Sequence, residues 1–76
     1  MANSIDQDAL QALITASAVR EVRVNRIDAS WGLSVRLGAF WHPVRSRREP
    51  VRTWASLTAV GRFCDAAGIK QFCVEL

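Results

Sequence analysis

From Val22 to Ala39 the apolar residues recur at every second position: Val22 and Val24, then Trp31, Leu33, Val35, Leu37 and Ala39. A period of two cannot build the stripe of a helix; it is the signature of strands with one buried face. Arg23 and Asn25 separate the valines, and Ile27 is a further candidate for the buried side. Asp28-Ala29-Ser30 supplies turn residues between the two runs, which are therefore expected to pair as a hairpin. Gly32, Ser34, Arg36 and Gly38 then lie on the opposite side of the second strand.

The flanking segments change period. From Ser4 to Ala18 the spacing of Ile5, Leu10, Leu13, Ile14 and Ala18 follows a helical face, with Ser4 as the expected N-cap and Asp6 and Asp8 in the first turn. A second helix is expected after Ser56, burying Leu57, Val60, Phe63, Cys64 and Ala67 and stopping at Gly68. Lys70 to Leu76 alternates again, with Phe72, Val74 and Leu76 on one side. Pro43 and Pro50 each lack a backbone donor, so Phe40 to Arg52 is read as a second hairpin with an arginine run at its exposed end.

The resulting order is α-β-β-β-α-β. Two helices on one face of a mainly antiparallel sheet make a two-layer α+β fold, the simplest arrangement that covers every apolar face. The other sheet face is expected to expose Arg23, Asn25, Ser34, Arg36, Gln71 and Glu75, with Cys73 among them. Cys64 belongs to the helix side, so the two thiols are not expected to meet.

With 76 residues the chain is read as a single domain spanning 1–76, and half its residues are hydrophobic, too many for a disordered polymer. A core this small makes self-association into a homodimer a natural expectation. The first eight residues carry acids where a secretory leader carries bases, and no apolar run approaches the ~18 residues of a membrane span. The expected setting is cytoplasmic, with no membrane partner.

Chemistry is sparse. His42 is the single histidine, the seven acids are scattered, and Cys64 and Cys73 lack metal-ligand spacing. No catalytic residues, no metal and no cofactor are expected, and the chain is read as a non-enzyme. What stands out is Arg45, Arg47, Arg48 and Arg52, opposed only by Glu49. Guanidinium groups at this density bind phosphates or acidic protein surfaces with the same fork geometry. Trp41 and Trp54 flank the run, and Trp41 is the candidate aromatic, stacking on a base or anchoring in a protein pocket. A polar hairpin tip anchored by two core tryptophans explains the same residues without any ligand.

Arg52-Thr53-Trp54-Ala55-Ser56-Leu57-Thr58-Ala59-Val60, followed by Phe63, Gly68-Ile69, Phe72 and Val74, resembles the closing segment of small plasmid-borne partition-associated proteins, the ParC family. Thr58 stands where that family carries an acid. The resemblance implies a bacterial plasmid or mobile element and an accessory role beside proteins that handle DNA. The leading expectation is thus an accessory protein that binds a protein partner, such as a partition or replication factor, through an acidic surface. Direct nucleic-acid binding through the loop from Arg45 to Arg52 is the alternative, and a self-associating structural module is the third.

Overall fold

A computed structural model describes residues 4–76. Helix α1 covers Gln7–Thr15, β1 Glu21–Ile27, β2 Ser30–Arg36, β3 Trp41–Pro43, β4 Thr53–Trp54, α2 Leu57–Ala67 and β5 Cys73–Glu75. The architecture is α+β: two helices pack on a mainly antiparallel sheet of five strands. No helix of the described residues is long and apolar enough to cross a membrane.

The hairpin forms where the period of two requires it. β1 and β2 pair antiparallel from Glu21↔Arg36 to Ile27↔Ser30, so the turn is only Asp28 and Ala29, and Ser30 belongs to the strand. Asp28 takes a φ of 53°, a left-handed angle that short Asx side chains tolerate better than most. Facing pairs Val22↔Val35 and Val24↔Leu33 bury completely or nearly so and form the floor of the core. Leu10 from α1 and Val60 and Cys64 from α2 cover it, joined by Trp31, Val44 and Trp54.

Several expected placements are corrected. Ile27 lies on the outer face, since it is two residues from Asn25, while Arg26 shares the helix side with Trp31 and holds its guanidinium 5.2 Å from the ring centre. Leu37 packs against the core from just beyond β2, and Ala39 is exposed in the next turn. Leu57 opens α2 on its exposed side rather than joining the buried face.

Both helices are capped by side chains. Asp6, rather than Ser4, is the N-cap of α1: its Oδ1 accepts from Ala9 N at 2.8 Å. Ser56 caps α2, with Oγ accepting from Ala59 N at 3.1 Å. Each helix ends in the same pair of backbone bonds. Ser17 N and Ala18 N donate to Ile14 O and Leu13 O, and Gly68 N and Ile69 N donate to Asp65 O and Cys64 O. Gly68 supplies the left-handed residue at the second stop, with φ 90°, but the first stop uses Ser17 at φ 58°.

The largest departure from expectation concerns β3 and β4. They do not pair with each other as a hairpin; both pair with the same edge of β2. Ser34↔Pro43 and the bond from Val44 N to Leu33 O, 2.9 Å, keep one register, after which Gly32 pairs with Thr53. The eight residues 45–52 are therefore an excursion from one interrupted strand. β5 closes the other side of the sheet, parallel to β1 with Val24↔Val74.

Candidate interaction site

The excursion carries all four arginines of the run, and its base is fixed from three directions. Ile5 forms a parallel bridge to Val44: Ile5 N donates to Pro43 O at 2.9 Å and Arg45 N donates to Ile5 O at 2.8 Å. Ile5 is thus a sheet-edge residue and not part of the α1 stripe. Arg52 N donates to Val44 O at 2.8 Å and closes the loop. Within it, Ser46 N donates to Glu49 O at 3.1 Å, and Glu49 N donates to Ser46 Oγ at 3.0 Å. A surface loop with near-touching ends and its own internal bonds presents its tip in a defined direction.

The four arginines have different surroundings. Arg52 turns inward: its guanidinium lies 4.7 Å from the centre of the Trp54 ring and 5.1 Å from that of Phe63. Its Nη1 donates to Gln7 Oε1 at 2.9 Å, tying the loop to the start of α1. Trp54 and Phe63 themselves form a tilted aromatic pair 5.0 Å apart. Arg45 is half-buried, with Nε donating to Ser46 O at 3.3 Å. Arg47 and Arg48 are exposed at the tip. Asp6, Gln7 and Asp8 share a shallow hollow with Arg45, Ser46, Arg47 and Arg52, so acids temper the charge on the α1 side of the loop.

Trp41 is set apart from this tip. It pairs with Arg36 on the outer face and is half-buried, and the guanidinium of Arg23, two strands away, lies 4.1 Å from its ring centre. One face of the indole is therefore already covered by a cation. Arg23 Nε is 3.3 Å from Glu75 Oε1, close enough for attraction although no directed hydrogen bond forms. Arg36 reaches Glu21 Oε1 at 2.7 Å through Nη2 and 2.8 Å through Nε. The outer face is thus balanced in charge, two arginines against two glutamates. At its far end Gly32 is buried beneath the side chains of Ile27 and Val51, in the space its own side chain would have filled.

The remaining chemical groups are separate. His42 lies opposite Val35, half-buried on the helix side. Cys64 is buried and Cys73 exposed, and both are free thiols. Burial pushes the Cys64 thiol up from its ordinary value, which favours the inert protonated form. Among the described residues no group of three or more His, Cys, Asp or Glu is placed to hold a metal ion.

Gln7 and Phe63, the partners of Arg52, carry no signal of that role in the sequence. A hydrophobic-plus-arginine pattern does not reveal which aromatic will lie beneath the guanidinium. Set against models of protein families, curated proteins and solved structures, the chain has no significant match.

Proposed function

We propose that this chain is a non-catalytic accessory protein that acts by binding the acidic surface of a protein partner through Arg47 and Arg48. The observation that carries this reading is the division of the arginine run: Arg52 is half-buried over Trp54 and Phe63 and bonded to Gln7, Arg45 is half-buried, and two exposed guanidiniums remain at the tip of a braced loop. Two phosphate contacts release few counterions and hold duplex DNA weakly at physiological salt. Two fork-shaped cations on a preorganised loop suit a pair of carboxylates on a protein. Trp41, already covered by Arg23 on one face, contributes its remaining edge as an apolar contact rather than a base-stacking platform. The resemblance of Arg52 to Val74 to the ParC family supplies the setting: a bacterial plasmid or mobile element, and a partition or replication factor as partner.

A photoreactive amino acid in place of the exposed Glu49 tests the reading at the loop itself. Irradiation in the host cell is expected to yield a protease-sensitive, nuclease-resistant adduct that is lost when Arg47 and Arg48 are changed to Glu. A nuclease-sensitive adduct instead supports direct nucleic-acid binding and overturns the proposal.

A further inference from the structure

The ends of α1 and α2 come together beside the first residues of β1 and the approach to β5, and a groove of about 910 Å³ lies between them. Its walls are of two kinds. Ile14, Val19, Ile69 and Phe72 are half-buried, packed against the core on one side and bordering the groove on the other. Arg20, Glu21 and Lys70 line the same space and are exposed. A recess of this size, with an apolar wall and a few charged groups, has the composition of a small-molecule site.

The charges of the groove do not cancel. Glu21 is held by Arg36, whose Nη2 and Nε reach its Oε1 at 2.7 and 2.8 Å. Among the described residues no side-chain hydrogen bond or ion pair engages Arg20 or Lys70. The two cations stand level with each other: β1 and β5 pair in parallel with Arg23 opposite Cys73, and Arg20 and Lys70 each come three residues earlier. Neighbouring like charges repel, and an anion set between them replaces that repulsion with two charge-assisted contacts. The main chain that carries them is braced, since Arg20 N donates to Arg36 O at 2.8 Å and Ile69 N to Cys64 O at 2.9 Å.

We propose that this groove binds a small amphipathic carboxylate, with its anionic head between Arg20 and Lys70 and its hydrocarbon body against Ile14, Val19, Ile69 and Phe72. A neutral or cationic amphiphile of the same length lacks the head contact, and a bare inorganic anion leaves the apolar wall in water. Glu21, occupied by Arg36, does not take the cations from the ligand. None of the residues that line the groove belongs to the arginine loop, so its occupancy and the capture of a protein partner are separable.

Titration of the full chain with octanoate, octanol and octyltrimethylammonium, followed by amide and methyl chemical shifts, tests the assignment. Octanoate is expected to bind about tenfold more tightly than octanol, through the contacts of its charged head, and octyltrimethylammonium more weakly than either. The shifts are expected at Ile14, Val19, Ile69 and Phe72. Arg20→Gln with Lys70→Gln should bring octanoate down to the affinity of octanol. Arg62→Gln, which removes an exposed cation of α2, should keep the preference intact. Each variant is matched to the wild type by its thermal melt. Equal binding of the three amphiphiles to the wild type overturns the proposal, as do shifts centred elsewhere or no shift with octanoate up to its micellar limit. So does a preference that survives the loss of both cations, or one that Arg62→Gln removes as well, which would assign it to the charge of the whole chain.

Discussion

The guanidinium of Arg52 lies over the indole of Trp54, 4.7 Å from the ring centre, with its Nη1 bonded to Gln7 of α1. A residue that belongs by sequence to a charged run thus joins the loop, β4, α1 and α2. Its methylenes and guanidinium cover aromatic surface that truncation would expose.

Arg52→Ala is therefore expected to cost about 1–2 kcal/mol of stability in urea unfolding, while Arg47→Ala and Arg48→Ala stay within about 0.5 kcal/mol of the wild type. Equal effects at all three positions would show that Arg52 is as loosely held as the loop tip.

Gly32 is occupied space. The end of the Ile27 side chain stands where its Cβ would project and Val51 lies in ordinary contact beside it at 3.6 Å, so Gly32→Val, which adds two methyls beyond that Cβ, should cost about 1–3 kcal/mol by overpacking. Ile27→Ala in the same chain relieves part of that cost, because the two changes share one site. Additive losses measured by a double-mutant cycle would place Ile27 away from Gly32.

The two helix stops call for opposite substitutions. Ser17 holds a left-handed φ of 58° that glycine adopts without strain, so Ser17→Gly is expected to gain about 0.5–1 kcal/mol. Gly68→Ala places a side chain at φ 90° and should lose about 1–2 kcal/mol, although its Cβ would meet Ile14 only at an ordinary 3.8 Å. Thermal melts of both variants measure the contrast.

Cys64 and Cys73 should react differently with a thiol reagent at neutral pH. Cys73 is modified in the folded chain, and Cys64 only as the chain unfolds. The folded thiol of Cys64 is raised, so its contribution to stability is complete below the unfolded value of about 8.5. That contribution declines as pH rises from there through the folded value, because only the unfolded chain has released the proton. Urea titrations at pH 7 and 9.5 should show a smaller alkaline loss in Cys64→Val than in the wild type.

The hairpin was legible because Val22, Val24, Leu33 and Val35 sit in a period that one buried face demands. The stops and caps of α2 were legible because Ser56 and Gly68 act on their own neighbours. What local pattern could not reveal depends on distant partners. Ile5 has helical spacing from Leu10, yet its backbone bonds to Pro43 and Arg45 draw it into the sheet and leave Asp6 to cap the helix. Likewise β3 and β4 read as a hairpin because they flank a turn-rich loop, whereas β2 is long enough to pair with both. The four arginines look equivalent in sequence; Gln7 and Phe63, 45 and 11 residues from Arg52, make one of them different.

Fluorescence anisotropy of a labelled DNA duplex across salt concentration tests the division of the arginines most directly. With only Arg47 and Arg48 available, the expected result is no retention near physiological salt and, at low salt, a log–log slope of about −2 that Arg47→Ala with Arg48→Ala abolishes. A slope of about −3 to −4 with binding that persists at physiological salt would mean that Arg45 and Arg52 also reach phosphates, and would contradict both the inward role of Arg52 and the choice of a protein partner.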